Sequence, residues 1–352
     1  MIVEQYLPAF HDGDAVGNST LTLHRFLQRK GVDSRIVALT IDEELQSQAQ
    51  LFSGYRPASG AIKILHFAIP SPLTDFFLHA PSRKVLVYHN VTPARFFIDF
   101  SSELVRITTA GRQQLGSLSD CFDLVVADSR FNAGELQALG FKDVRVFPIM
   151  IDRRQYGGGH SQPFFDLLKD ERRNLIFVGR VTPNKKIEDL IRVLFFYKKY
   201  ISPSIRLIVC GNTRTLPGYF IALKDMALRF LLTAEDIVFT GHLPLAEFLA
   251  VYRLADLFVS MSEHEGFCLP LIESCHFQVP VLAFDAGAVA ETLDGAGLLF
   301  RDKKCERVAG LAERLLEDAA LRKKLQALER KRTQRFKRES DPALFLEMLR
   351  RL

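Results

Sequence analysis

The fold is decided by the stretch from residue 257 to residue 273, which reads LFVSMSEHEGFCLPLIE. Its first five residues have the length and apolar character of a short buried strand. Pro270 then stands at the start of a helical run, where its missing N–H is no loss. The free N–H groups at such a helix start attract anions, phosphate above all. We therefore expect a strand, a tight glycine-containing loop and a helix in this order.

Two carboxylates bracket this loop, Glu265 within it and Glu273 in the helix that follows. Carboxylate oxygens accept hydrogen bonds from hydroxyl groups such as those of sugars. An anion site flanked by two such acceptors suits a nucleotide sugar. The other interpretation is an ordinary strand–loop–helix unit with an acidic residue exposed at each end, and this stretch alone leaves both open.

Composition bounds the class of protein. A length of 352 residues favours two domains, and 48% hydrophobic with 25% charged residues is typical of a globular protein. The net charge of +5 fits an anionic small molecule or an anionic membrane surface but requires neither. The five cysteines include no CxxC pair, which disfavours a zinc site or a redox motif.

The cellular location is predicted from the targeting and membrane-spanning patterns that the sequence lacks. The N-terminus has no signal-peptide pattern, and no run reaches the roughly 18 apolar residues that predict a membrane-spanning helix. An odd number of scattered cysteines is typical of a reducing compartment. We expect a cytoplasmic protein.

Strand and helix patterns alternate along most of the chain, which predicts α/β domains with parallel sheets. The alternation fails between residues 151 and 174, where Gly157, Gly158 and Gly159 suggest an interdomain linker. We therefore predict an N-terminal domain over residues 1–152, a second domain over residues 153–339, and a terminal helix over residues 340–352 that packs back on the first domain. The predicted strands are the hydrophobic runs at 2–7, 34–39, 62–67, 84–89, 123–128, 144–148, 174–178, 206–210, 237–240, 257–261, 279–284 and 298–300.

Polar residues follow several of these strands, at the edge where α/β sheets place ligands. His89, Arg180, Lys185 and Glu265 all lie at or just beyond a strand end, and two doubly wound domains in series would make those ends face a central cleft. The turn after the first strand carries Gly13 and Gly17 but not the GxGxxG spacing of a dinucleotide site. Asp12 and Asp14 in the same turn match a short metal-binding pattern, which we interpret as turn chemistry, so no metal site is assigned.

Four segments resemble a known family in sequence and order. They are residues 262–273 (SEHEGFCLPLIE), 179–185 (GRVTPNK), 88–90 (YHN) and 128–132 (DSRFN). The chain resembles the retaining glycosyltransferases of family 4, which have the GT-B fold of two Rossmann-like domains, and Glu265 and Glu273 match the family's E-x7-E signature. The resemblance implies transfer of a hexose from a nucleoside diphosphate sugar, with retained anomeric configuration and no metal or other cofactor.

The resemblance also implies roles for individual residues. Glu265 is expected to hold donor-sugar hydroxyls and Glu273 the ribose, while Arg180 and Lys185 neutralise the diphosphate. His89 is expected to donate a hydrogen bond to the donor sugar. The remaining expected donor-binding residues are Gly13, Gly17, Gly211, Asn212, His242, Leu243, Gly266, Phe267, Cys268 and Leu269.

Two residues depart from the family pattern. Cys268 and Lys186 each stand where the family commonly has glycine. The backbone conformation of these two loops could therefore differ from that of the family. His24, His66 and His79 are predicted to be surface or packing residues.

The leading hypothesis is a hexosyltransferase that uses a UDP-hexose rather than GDP-mannose, with a glycan or lipid-linked acceptor in polysaccharide or glycolipid synthesis. The alternatives are a GT-B sugar-nucleotide epimerase or hydrolase, and a non-catalytic nucleotide-sugar binding protein. The basic run at residues 322–338 is usually a solvated helix face, but it could hold the protein at the anionic inner face of a membrane. It lacks the interleaved aromatic residues of a nucleic-acid site, so no nucleic-acid partner is expected.

Overall fold

A computed structural model describes residues 1–352 as two compact units, each built on a parallel β-sheet. The first unit comprises Met1–Ile98, Ser102–Arg153 and Phe336–Leu352. The second comprises Asp99–Ser101 and Arg154–Arg335. The acceptor-side and donor-binding roles of the two domains stay a prediction.

The first unit contains a seven-stranded sheet. Its strands are β1 (Ile2–Phe10), β2 (Asp33–Ile41), β3 (Gln50–Leu51), β4 (Ile62–Phe67), β5 (Lys84–Tyr88), β6 (Leu124–Ala127) and β7 (Arg145–Val146). They lie in the order β3-β2-β1-β4-β5-β6-β7, and every neighbouring pair is parallel. Buried on both faces, the central strands carry nearly continuous apolar runs, as parallel sheets require.

Helices flank this sheet and complete its core. They are α1 (Ala15–Arg29), α2 (Leu73–His79), α3 (Ser102–Ser117) and α4 (Arg130–Ala138). The C-terminal helix α13 (Pro342–Arg350) belongs to the same unit, where Phe345, Leu346 and Leu349 share a buried cluster with Val3 and Leu23.

The second unit repeats the architecture with a six-stranded sheet. Its strands are β8 (Arg173–Val178), β9 (Ile205–Cys210), β10 (Ile237–Gly241), β11 (Leu257–Ser260), β12 (Val281–Phe284) and β13 (Leu298–Phe300). The order is β10-β9-β8-β11-β12-β13, again parallel throughout. Its helices are α5 (Gln162–Leu168), α6 (Ile187–Tyr200), α7 (Pro217–Arg229), α8 (Leu245–Leu254), α9 (Leu269–Phe277), α10 (Val289–Leu293), α11 (Cys305–Glu317) and α12 (Ala319–Glu339), whose last four residues fall in the first unit.

The predicted α/β class with two Rossmann-like doubly wound domains is confirmed. One strand was missed, because β3 has only two residues and both are exposed. Helix α5, which was not predicted, lies within residues 151–174, where the alternation of patterns fails. The Ser161 hydroxyl caps that helix and Pro163 stands in its first turn, but its seven residues are too few for a visible helical period.

None of the helices combines the length and the apolar character needed to span a lipid bilayer.

Candidate active site

The loops after β8, β9, β10 and β11 lie at one edge of the second sheet, because parallel strands end on the same side. Backbone hydrogen bonds continue past the strands and hold these loops together. Gly179 N–H donates to the carbonyl of Cys210 at 2.9 Å, and Gly211 N–H donates to that of Gly241 at 2.9 Å. The edge therefore gathers Arg180, Lys185, Gly211, Asn212, His242 and Glu265, which the sequence had singled out.

The first two loops touch each other through their backbones. Gly211 has a φ of +149°, and a Cβ atom added there would lie 2.0 Å from the carbonyl oxygen of Gly179. Only glycine permits this approach. The contact brings the segment that begins with Arg180 against the loop that carries Asn212, and Val181 N–H donates to the Asn212 carbonyl at 3.0 Å.

Lys185 and Glu265 form a close ion pair at this edge. Lys185 Nζ donates to both carboxylate oxygens of Glu265, at 2.8 and 2.7 Å. The lysine side chain is 16% exposed and that of the glutamate 5%. Because water screens such a pair poorly, the attraction is stronger than between surface charges. Lys185 therefore neutralises the charge of Glu265.

Backbone contacts hold the two partners of this pair in register. Asn184, next to Lys185, donates from its side-chain amide to the carbonyl of His264 at 3.2 Å. Its own carbonyl accepts from Glu263 N–H at 2.8 Å. The loop after β8 is thus joined to the loop after β11 through both the side chain and the backbone carbonyl of Asn184.

A third loop supports Glu265 from behind, and sequence reasoning missed it. Gly287 has a φ of +56°, and a Cβ atom added there would lie 2.4 Å from the carbonyl oxygen of Glu265. Ala288 N–H donates to that same carbonyl at 2.9 Å. The only sequence signal was a glycine in a polar loop after β12, which does not indicate what the glycine approaches.

Glu273 is buried and bound by two tyrosines that sequence reasoning also missed. Its Oε1 accepts from the Tyr156 hydroxyl at 2.8 Å, and its Oε2 accepts from the Tyr252 hydroxyl at 2.9 Å. Burial raises the pKa of this carboxyl group, and the two tyrosine hydrogen bonds oppose the rise. Each oxygen keeps a second lone pair for a ligand hydroxyl.

Both residues that depart from the family pattern have a left-handed backbone. Cys268, at the N-cap of α9, has a φ of 70°, and Lys186, before α6, has a φ of 54°. Both angles are left-handed, the region in which glycine is favoured. The loop geometry that glycine would adopt is therefore present, at a cost in strain. The Cys268 side chain is half-buried, and desolvation raises its thiol pKa well above the usual value, which disfavours the thiolate.

The N-terminus of α9 carries no side-chain cap. Leu269 begins the helix, Pro270 lies in its first turn, and no side chain caps its N–H groups. Phe267 is buried directly before it, and Gly266 is half-buried. The helix dipole adds positive potential at this end.

Arg180 differs from Lys185 in having no partner. It is exposed, and its guanidinium forms no ion pair or hydrogen bond. His242 and Asn212 are also exposed, and the side-chain oxygen of Asn212 accepts from Arg214 N–H at 2.7 Å. Leu243 instead packs against the buried core of the unit.

Gly13 and Gly17 lie in the first unit, in the turn between β1 and α1. Asp14 caps α1, where its Oδ2 accepts from the N–H groups of Val16 and Gly17 at 3.1 and 3.0 Å. Asp12 N–H donates to the Asp42 carboxylate at 2.9 Å. These bonds are the turn chemistry predicted for Asp12 and Asp14.

The side chain of His89 is enclosed in the first unit, only 3% exposed. Its Nδ1 lies 2.7 Å from Asp128 Oδ2 and its Nε2 lies 3.0 Å from His66 Nδ1. His66 Nε2 in turn lies 3.2 Å from Gln5 Oε1. His66, predicted to be a packing or surface residue, is thus part of a buried polar chain, and its burial holds its pKa well below the usual value.

Gln5 sets the direction of the hydrogen bonds in this chain. Its Nε2 donates to the carbonyl of Thr20 at 3.2 Å, so its Oε1 must accept from His66 Nε2. His66 Nδ1 is then an acceptor, and His89 Nε2 donates to it. Both ring nitrogens of His89 are therefore engaged, and its expected hydrogen bond to a sugar stays a prediction that requires His66 to be displaced.

Comparison with known proteins finds sequence similarity in the second unit. Residues 161–332 match the family model of "Glycosyl transferases group 1". The serotype-specific mannosyltransferase WbdA of Escherichia coli is 24% identical over 153 residues, 44% of this chain and 18% of that protein. The GDP-mannose-dependent alpha-mannosyltransferase of Mycolicibacterium smegmatis is 32% identical over 118 residues, 34% of this chain and 27% of that protein. The chain thus spans less than half the length of these curated relatives.

The whole chain is similar in fold to a solved structure. HepE of Anabaena, crystallised with UDP-glucose, superposes with a TM-score of 0.77 over 100% of both chains, at 14% sequence identity. The GT-B fold is thereby confirmed. The family match at residues 161–332 covers slightly less than half of the chain and lies within the second unit.

Proposed function

We propose, from the glycosyltransferase group 1 domain at residues 161–332, that the protein is a retaining hexosyltransferase. It would move a hexose from a nucleoside diphosphate sugar to a glycan or lipid-linked acceptor in polysaccharide or glycolipid synthesis. The observation that carries this proposal is the ion pair of Lys185 and Glu265, in which one buried carboxylate and one cation meet at the strand-end edge.

The pair suits a ligand that carries both phosphate and hydroxyl groups. A diphosphate beside Lys185 would share the lysine charge with Glu265. The carboxylate could then accept sugar hydroxyls with its remaining lone pairs. Before the donor binds, the ion pair would also keep the carboxylate of Glu265 from being a buried charge without a partner.

The positive charge at this edge matches the charge that develops as the glycosidic bond breaks. Negative charge then grows on the β-phosphate, and Arg180, Lys185 and the N–H groups at the start of α9 would stabilise it. Removal of one such donor typically costs about 3–4 kcal/mol of transition-state stabilisation. These groups supply the charge that a metal ion supplies in other transferases, so the proposal needs no metal.

Glu273 is suited to hold the ribose. Tyr156 and Tyr252 hold its two oxygens in place, so the remaining lone pairs have defined directions. A fixed pair of acceptors loses little freedom on binding, which favours recognition of the paired hydroxyls of a ribose.

The donor would be a UDP-hexose, and GDP-mannose is a second candidate. HepE, which has the same fold, was crystallised with UDP-glucose. The Mycolicibacterium smegmatis relative, described as GDP-mannose-dependent, favours the second donor. A mannose or glucose donor is compatible with the acceptors at Glu265, because both sugars are hexoses with several free hydroxyl groups.

The basic helix α12 would bind an anionic membrane that carries a lipid-linked acceptor. The exposed side chains Lys323, Lys324 and Lys331 lie along it. Juxtaposed lysines and arginines are attracted to anionic lipid, by about 1 kcal/mol each. A peripheral contact at the inner face of a membrane is therefore part of the proposal.

Donor binding and donor turnover together test the function. The melting temperature should rise with one of UDP-glucose, GDP-mannose or ADP-glucose, because a ligand that binds only the folded state stabilises it. Release of the nucleoside diphosphate should then be lost in Glu265→Gln and kept in Lys186→Gly, a matched control beside the site. Turnover of every donor by Glu265→Gln at the wild-type rate would refute the mechanism, and binding without turnover by the wild type would indicate a non-catalytic binding protein.

A further inference from the structure

Leu231 occupies a position at which the backbone favours glycine. At the end of α7, Leu232 N–H donates to the Ala227 carbonyl and Leu231 N–H donates to that of Leu228. This pair of bonds is the Schellman motif, whose left-handed residue is usually glycine. Leu231 has a φ of 56° and is 89% exposed. The left-handed backbone costs folding stability and the side chain buries almost nothing, so the fold does not account for a leucine here.

Other apolar side chains near the ends of α6 and α7 are also exposed. Leu228 is 69% exposed and Tyr200, at the end of α6, is 65% exposed. Phe195 within α6 stacks on Phe230 at the end of α7, with ring centroids 4.7 Å apart. We call this the Leu231 surface, and its exposed members are Tyr200, Ile201, Leu228 and Leu231.

Unpaired positive charge borders the Leu231 surface. Lys199 Nζ lies 5.4 Å from the ring centroid of Phe195 and 5.2 Å from that of Tyr200. Lys224 Nζ lies 5.2 Å from the ring centroid of Phe220. Neither lysine forms an ion pair, so both charges are available to an external anion.

The nearby acidic groups, by contrast, are each neutralised. Their ion pairs are Asp225 with Arg229 at 2.9 Å, Asp236 with Lys198 at 2.7 Å, and Glu235 with Arg172 at 3.4 Å. The surface is therefore apolar and aromatic at its centre and net positive at its margin.

We propose that the Leu231 surface docks on an anionic lipid bilayer. Protruding leucine and isoleucine side chains insert among acyl chains, tyrosine lies at the headgroup level, and lysine binds anionic headgroups. The composition fits a protein partner less well, because leucine is under-represented among the residues that dominate protein interfaces. This docking goes beyond the proposed function: it uses α6 and α7 rather than α12, and it does not depend on a lipid-linked acceptor.

The position of the surface leaves the donor site free. α6 begins two residues after Lys185 and has 14 residues, which corresponds to about 21 Å along its axis. Tyr200 stands at its far end. A bilayer at the Leu231 surface would thus contact the end of the second unit that lies opposite the strand-end edge, and a nucleotide sugar could still reach Lys185 from the aqueous side.

Vesicle co-sedimentation tests the docking without any substrate. The full chain is mixed with vesicles of phosphatidylglycerol and phosphatidylcholine, or with vesicles of phosphatidylcholine alone. Wild-type protein should sediment with the anionic vesicles, and Leu228→Ser/Leu231→Gly should bind at least about tenfold more weakly because two apolar side chains no longer insert. Leu231→Gly relieves the left-handed strain, so this variant should fold. Leu167→Ser, at an equally exposed leucine on α5, should bind like the wild type.

Three results would overturn the proposal. In the first, the wild type does not sediment with anionic vesicles. In the second, the double variant binds these vesicles as strongly as the wild type. In the third, light scattering shows that the wild type is a dimer and that the double variant is a monomer. The last would assign the surface to contact between two copies of the chain. Donor turnover measured without vesicles should be the same in wild type and double variant, so an inactive wild type would count against the proposed function and not against docking.

Discussion

Lys185 Nζ contacts both carboxylate oxygens of Glu265 rather than one. Two short bonds to one carboxylate, with little exposure of either side chain, mean that each charge depends on the other for its stabilisation. Removing one partner leaves the other in a poorly solvated place, whereas removing both leaves no unpaired charge.

The first prediction is a strong coupling between these residues in folding stability. Lys185→Met and Glu265→Gln should each destabilise the protein, and the double variant should lose less than the sum, with a coupling of about 1–3 kcal/mol. Urea unfolding of the four proteins measures it. Additive losses would mean that the two charges do not depend on each other in the empty site.

Tyr156 and Tyr252 should control nucleotide affinity through Glu273. Their hydroxyl groups lower the pKa of a carboxyl group that burial raises. Tyr156→Phe or Tyr252→Phe therefore lets that pKa rise further, and the protonated carboxyl accepts ribose hydroxyls less well. Affinity for the nucleoside diphosphate should fall by about tenfold, since a hydrogen bond to a charged group contributes about 1.5–3 kcal/mol.

The loss should be larger near pH 6 than near pH 8, because the carboxyl group is protonated more at the lower pH. Calorimetric titration at both pH values checks this. Tyr200→Phe is the matched control, since the Tyr200 hydroxyl has no bond to a carboxylate. An equal loss at both pH values would indicate a steric effect of the tyrosines rather than control of Glu273.

Local sequence predicted the strands and the polar residues that follow them, but not their long-range partners. Residues at the ends of parallel strands share an edge whatever the details of packing, so Arg180, Lys185 and Glu265 could be placed on one edge from hydrophobic pattern alone. Glu273 and Tyr156 are 117 positions apart, and no local pattern relates them. The approach of Gly287 to Glu265 likewise depends on how two loops pack.

The same limit explains why the polar partners of His66 were not predicted. It lies within a buried apolar strand, where a lone histidine usually only packs. Its contact with His89 arises because β4 and β5 pair in parallel, a register that the sequence of neither strand specifies. The motif residues were found individually, whereas the groups that hold them were visible only in the structure.

Strain at Lys186 should be removable. Its left-handed φ of 54° favours glycine, and its side chain forms only long ion pairs of 3.6 Å, which contribute little. Lys186→Gly should raise the free energy of unfolding by up to about 1 kcal/mol, while Lys186→Ala, which removes the same charge and keeps the Cβ, should not. Urea unfolding compares the two, and equal stability of both variants would show that the backbone at this position is not strained.

Glu329 should make folding stability depend on pH. Both of its carboxylate oxygens are buried without a hydrogen-bond partner, and burial raises its pKa to about 8. The folded state then keeps a proton that the unfolded state loses above its own, lower pKa. The contribution of Glu329 to folding stability is therefore most favourable below about pH 4.5 and falls until about pH 8. Glu329→Gln removes this proton. Its stability relative to wild type should therefore rise across that range by a few kcal/mol in order of magnitude, as measured by urea unfolding at several pH values. The exposed Glu347→Gln is the control and should track the wild type, and a Glu329→Gln curve that runs parallel to the wild-type curve would show that the carboxyl group has an ordinary pKa.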